Sequence, residues 1–219
     1  MITYEAIKKD KAVLAYISAA DASLRALGYT EHSLGHVGKV ACAVEYILKT
    51  LGYPEYEIEL AKIAAHLHDI GNLVNRSEHS QSGAVMAFRI LDKMGMPPED
   101  IATVVTAIGN HDEGTGVPVN AVAAALIIAD KSDVRRSRVR NSDFASFDIH
   151  DRVNYSVTDA DLTITEDKKN IILSLTIDTE ISSVMDYFEI FLARMVLCRK
   201  AADSLGLAFG LTINGQKLI

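Results

Sequence analysis

The sequence predicts a mainly α-helical protein: an all-helical bundle over residues 1–147, then a small α+β unit over residues 148–219. Three observations carry that expectation. Apolar residues recur at three- and four-residue spacing through most of the first two thirds of the chain. Those periodic segments open at Asp, Asn or Pro and close at Gly, the punctuation of helix ends. Near residue 148 the period drops to two, the spacing of a strand with one buried face.

The first helix is expected over 10–27, with Asp10 as its cap and Val13, Leu14, Ile17, Leu24 and Leu27 on its apolar face. A second, over 31–51, carries Val37, Val40, Val44, Ile47, Leu48 and Leu51 and closes at Gly52. Pro54 opens a third, which runs to His68-Asp69 and stops near Gly71. A fourth covers about 80–94 and ends at Gly95, and Pro97-Pro98-Glu99 starts a fifth through Ile101, Val104, Val105 and Ile108. Gly114–Pro118 is a loop, after which Asn120 caps a sixth helix from Ala121 to about Arg138. Val153, Tyr155 and Val157, then Leu162 and Ile164, then Ile171, Leu173, Leu175 and Ile177 alternate with polar residues and read as strands. Glu166–Asn170 is the hairpin turn between them. Helical spacing returns over 182–205 and closes at Gly206; Leu207–Ile213 is a strand, and Asn214-Gly215 a tight turn before a short last one.

A chain of 219 residues with 49% hydrophobic content can bury a substantial core. Its formal charge of −7 argues against nucleic acid as a partner. No apolar run is long enough to span a bilayer. The start, Met1-Ile2-Thr3-Tyr4-Glu5, lacks the blocks of a signal peptide, so a cytoplasmic protein with no membrane partner is expected. Cys42 and Cys198 sit in apolar helical patterns and are expected as buried thiols. Gly114–Pro118 is too short and wrongly placed to cradle phosphates as a P-loop does.

The chemistry centres on His68-Asp69, side by side where an apolar helix closes. Imidazole and carboxylate together suit Mn, Fe, Zn or Mg, and histidine favours the transition metals. A helix-end histidine beside a capping aspartate is the plain alternative. Asp130 ends the apolar run Ala121–Ala129, where an ionised carboxylate needs a metal or an arginine partner, and residues 135–140 could supply the latter. His36 begins another apolar-periodic stretch, with His32 one turn earlier in a supporting or rim position. His66 reads as a core or surface histidine. His79 and His111 fall between the outer members of the set.

His36, His68-Asp69 and Asp130 resemble, in type and order, the four ligands of the HD-domain superfamily of metal-dependent phosphohydrolases, and His68-Asp69-Ile70-Gly71 is similar to its HDIG motif. The resemblance covers about residues 30–140. Asn72 stands where a lysine often follows the motif. His79 and His111 are similar to the extra histidines of two-metal members such as the HD-GYP phosphodiesterases. Asn110 and Val117, in place of a histidine and a tyrosine, depart from true HD-GYP enzymes. The resemblance implies one or two divalent ions, Mn or Fe favoured, held by His36, His68, Asp69, His79, His111 and Asp130, with Asp69 as the bridge. It implies hydrolysis of a phosphomonoester or phosphodiester, of nucleotide type, by activated water. Asp69, His111 and Glu113 are the catalytic candidates, with His111, Glu113 or a water as proton source for the leaving group. Arg76, Arg135 and Arg138 are candidate phosphate contacts, and Lys131, Arg135 and Arg138 would share one face of the sixth helix. The other functional class is a non-catalytic sensor or scaffold that binds a nucleotide on the same fold. Three roles are open for the C-terminal unit: homodimer formation through a strand edge, covering the site, or binding an effector.

Overall fold

A computed structural model describes residues 2–219 and contains, among them, nine α-helices and one four-stranded sheet. Helix α1 (Tyr4–Lys9) and helix α2 (Lys11–Ala26) meet at Asp10, whose carboxylate accepts from the backbone N–H groups of Ala12 and Val13. This is the expected cap. The six-residue α1 was not expected, because it offers only Tyr4 and Ile7 to the core. Helix α3 (Leu34–Leu51) closes on the left-handed Gly52. Helix α4 (Glu55–Leu67) delivers His68 and Asp69, and a 3-10 turn follows over Ile70–Leu73. Helices α5 (His79–Lys93) and α6 (Pro98–Gly109) come next.

Helix α7 (Ala121–Ser132) is shorter than expected. The chain leaves it at Asp133, Val134 turns into the core, and Arg136–Arg138 forms a separate 3-10 turn. Arg138 is drawn away from the helix direction by the main-chain oxygens of Glu31 and Asp133, to which it donates at 2.7–2.9 Å. Lys131, Arg135 and Arg138 therefore do not share a helical face.

Helix α8 (Ile149–Ser156) replaces the first expected strand. Asp148 caps it by accepting from the N–H of Asp151, and this cap overrides the alternation of Val153, Tyr155 and Val157. Strands β1 (Val157–Ile164) and β2 (Asn170–Ile177) form the expected hairpin. Helix α9 (Val184–Ser204) crosses over to β3 (Ala208–Ile213), which lies parallel to β2, and Asn214-Gly215 turns into β4 (Gln216–Lys217).

The buried apolar residues form one cluster from Tyr4 to Ile213. It crosses the expected 147/148 boundary without a break, and α9 packs along α7. The inner faces of β2 and β3 supply Ile171, Leu173, Leu175, Phe209 and Leu211. Both cysteines are free thiols; Cys198 is buried as expected, whereas Cys42 is exposed on α3. No described helix is long and apolar enough to cross a membrane.

Candidate metal centre

Five helix ends converge on one point. His36 comes from the first turn of α3, His68-Asp69 from the end of α4, His79 from the start of α5, His111 from just beyond α6 and Asp130 from the last turn of α7. All are buried except Asp130, whose side chain is 12% exposed and opens to a cavity. The close approach of α5 depends on Gly71. A Cβ there would stand 2.0 Å from the carbonyl oxygen of His79 and 2.5 Å from the nitrogen of Gly83. Glu78, in the left-handed region at φ 57°, turns the chain into α5 just before His79.

Two sets of ligand-type atoms lie within 4.8 Å of one another: His36, His68 and Asp130, and His68, Asp69 and His111. The Oδ2 of Asp69 is 3.2 Å from His68 Nε2 and 3.6 Å from His36 Nε2, while its Oδ1 is 3.5 Å from His79 Nε2. Asp130 Oδ1 is 3.3 Å from His36 Nε2 and 3.6 Å from His68 Nε2. The two oxygens of Asp69 thus face different imidazoles.

The tautomers follow from the neighbours. His68 Nδ1 is 2.8 Å from the oxygen of Ala65, His79 Nδ1 3.1 Å from that of Arg76, and His111 Nδ1 2.6 Å from that of Ile108. A carbonyl only accepts, so each Nδ1 carries the proton and a neutral ring presents a lone pair at Nε2. His36 Nδ1 meets Asp133 Oδ2 at 2.8 Å, a carboxylate placed to orient a ligand imidazole. His36 Nε2, His68 Nε2 and Asp69 Oδ2 are buried and lack a hydrogen-bond partner. Buried acceptors left in that state are costly unless a cation completes them. The residues therefore fit a divalent ion.

The charges point the same way. Burial opposes ionisation of Asp69 and Asp130, yet His68 holds Asp69, and Lys131 and the imidazoles hold Asp130, well below the usual carboxylate range. Burial also opposes a charged His68, but Asp69 and Asp130 raise it to about 10, so a proton and a metal cation compete for its Nε2 between the two carboxylates. Burial, followed by the charges of His68 and Lys131, pushes His111 down to about 3. Burial lowers His79 and His32 as well.

Beside the centre lies a cavity of about 400 Å³, lined by Asp69, His79 and Asp130 and by the cations Arg76, Lys131, Arg138 and Arg194. Tyr29 and Phe191 give it aromatic walls, and Asp151 and Asn154 of α8 line it too. His32 lines this cavity, with its ring 5.7 Å from that of His36. His66 is buried away from the centre, edge-on to Tyr4. Asn72 fills the position after the HDIG-like run: it donates to Asp69 Oδ1 at 3.0 Å and accepts from Arg76 at 3.3 Å.

Several expected roles change. Glu113 pairs with Lys131 at 3.3 Å and with Arg194 at 2.5 Å, and these cations pull its pKa down to about 2 against the effect of burial. It is a fixed anion, poorly suited to donate a proton. His111, neutral with its proton turned to Ile108, presents a lone pair rather than an acid. Arg135 is committed to Glu31 and Asp133, each at 2.9 Å, and does not line the cavity. Arg138 lines it, but its guanidinium is spent on main-chain oxygens, so Arg76 is the expected phosphate contact whose placement suits the task best.

Asp133 and Arg194 were not expected at the site, and Lys131, expected beside Arg135 and Arg138, reaches the cavity without Arg135. The signal for Asp133 was its place three residues after Asp130, which returns it to the same helix end. Arg194 gave no local signal.

Residues 33–137 match the family model described as HD domain. Over 160 residues the chain is 27% identical to an uncharacterized protein of Methanocaldococcus jannaschii, MJ1020, covering 63% of this chain and 61% of that one. The chain thus spans less than two thirds of that relative's length. It is also similar to the crystal structure of a predicted HD superfamily hydrolase from an uncultured Thermotogales bacterium, with 24% identity, 57% of this chain and 68% of that one covered, and a TM-score of 0.46.

Proposed function

We propose that this chain, which belongs to the HD-domain superfamily through residues 33–137, is a metal-dependent hydrolase of phosphoester bonds acting on a small nucleotide-like substrate. The observation that carries this reading is the split carboxylate of Asp69, with one oxygen toward His36 and His68 and the other toward His79. His36, His68, Asp69 and Asp130 would hold one ion, and Asp69, His79 and His111 a second. Mn and Fe suit this mixture of imidazole and carboxylate. Such ions supply Lewis-acid polarisation of phosphoryl oxygens and make water more acidic.

The chain's own residues do the rest. Asp133 fixes the ring of His36, main-chain carbonyls fix those of His68, His79 and His111, and Asn72 fixes Asp69. Lys131, buried and held charged by Asp130 and Glu113 against its own burial, sets a positive charge at the cavity wall. Arg76 adds a guanidinium there, lying 5.8 Å over the Tyr29 ring. A phosphate drawn to these cations meets the ligand cluster at the cavity's inner end. Water is the nucleophile in this reading. The aromatic walls, and the acceptors of Asp151 and Asn154, suit a nucleoside half.

The test is turnover of a panel of nucleoside monophosphates, cyclic nucleotides and dinucleotides by protein loaded with Mn²⁺. At least one is expected to be hydrolysed, with the activity lost in Asp69→Ala. Full activity and full metal content in that variant would sink the proposal.

A further inference from the structure

Helix α9 lies outside the matched residues 33–137, yet it reaches the centre. Arg194, on its middle turns, lines the same cavity as Asp69, His79 and Asp130. Its Nε lies 2.5 Å from Glu113 Oε1, an ion pair without the alignment of a hydrogen bond. The other oxygen of Glu113 takes Lys131 at 3.3 Å, and Lys131 donates to Asp130 Oδ2 at 2.6 Å. The guanidinium carbon of Arg194 also stands 4.4 Å from the centre of the Phe191 ring, one turn back on the same helix. Glu113 and Phe191 therefore fix the guanidinium through its Nε edge and one flat face. Among the described residues, its Nη1 and Nη2 atoms make no hydrogen bond, although the side chain is only 26% exposed.

A guanidinium held by its Nε presents a planar two-nitrogen fork along its other edge. That fork matches two oxygens of a phosphate. We infer that Arg194 is a phosphate-binding residue of this site, delivered by the C-terminal unit, with Glu113 as the residue that positions it. The inference rests on the phosphohydrolase reading, since the ligand it assigns is a phosphate. It gives the C-terminal unit a share in the site, and it gives Glu113 a role other than proton transfer.

The test is binding of inorganic phosphate to the full chain in saturating Mn²⁺, measured by calorimetry. Arg194→Ala is expected to weaken phosphate binding about 10- to 100-fold, the effect of losing charge-assisted hydrogen bonds, while Mn²⁺ affinity and melting temperature stay close to the parent's. Arg194→Lys is expected to restore part of the loss, because it returns the charge but not the fork. Glu113→Gln is expected to fall between the parent and Arg194→Ala. Unchanged phosphate affinity in Arg194→Ala, or a parallel loss of Mn²⁺ affinity or of folding, would overturn the assignment while leaving the hydrolase reading in place. A parent protein that binds no phosphate in the presence of Mn²⁺ would overturn both.

Discussion

His79 and His111 face each other with their Nε2 atoms 3.2 Å apart, while the Nδ1 of each is turned to a main-chain carbonyl. With both protons committed to those carbonyls, two lone pairs meet in a buried place. Burial lowers the pKa of each ring, so protonation does not readily relieve the contact. A cation between them does. His79→Ala and His111→Ala are each expected to lower bound Mn²⁺ from two ions per chain to one, read by elemental analysis after gel filtration, whereas Asp69→Ala loses both. Two ions retained in His111→Ala would remove that residue from the ligand set.

Asp133 holds His36 by its Nδ1 and is itself kept ionised by that bond and by Arg138 and Arg135, against the effect of burial. Asp133→Ala is expected to weaken Mn²⁺ binding by about 10- to 100-fold, the usual effect of losing a carboxylate behind a ligand histidine. Calorimetry checks this, and an unchanged affinity would show that the α3 backbone alone orients the ring.

The contrast between Asp133 and Asp130 shows what could be read in the sequence. Asp130 stands out because it ends an apolar run, where an ionised side chain demands a partner. His68-Asp69 carries its own motif, and His36, His79 and His111 are rare residues near helix ends. Asp133 sits in an ordinary polar stretch, marked by nothing but its spacing from Asp130, and the turn out of α7 brings it to His36. Arg194 lies on a helix whose apolar residues pack on α7, α8 and β3. Its meeting with Glu113 is made by tertiary structure alone. The same limit explains α8: Val153, Tyr155 and Val157 fit a strand, but the Asp148 cap settles a short helix that places Asp151 and Asn154 one turn apart on the cavity side. The bundle and the β1–β2 hairpin were readable because their periodicity is long and undisturbed.

Gly71 permits the contact between the turn after Asp69 and the start of α5. Gly71→Ala forces a Cβ onto main-chain atoms that cannot rotate away. A loss of about 3 kcal/mol or more is expected, at the upper end of overpacking. In a chain of this size that lowers the melting temperature by roughly 6–12 °C. Gly38, within α3, is the control: a Cβ there meets nothing within 4 Å, and Gly38→Ala is expected to stabilise by up to about 1 kcal/mol through helix propensity. Equal melting temperatures for the two variants would show that the tight approach at Gly71 is not maintained in solution.

Metal removal should weaken the fold itself, because the ligands arrive on five separate helix ends and an ion ties those ends together. At a free ion concentration one hundred times the dissociation constant, binding to the folded chain alone adds about 2.7 kcal/mol. That corresponds to a melting temperature roughly 5–11 °C higher than in excess chelator. The increment has a definite sign with pH. Binding needs unprotonated Nε2 atoms, protons compete for the same lone pairs, and so the ion's contribution shrinks as pH falls. Scans with Mn²⁺ and with chelator at pH 8 and at pH 5.5 are expected to show a large gap at the higher pH and a small one at the lower. A gap that is absent at both, or that widens on acidification, would argue that the cluster is held by its own hydrogen bonds and not completed by a metal.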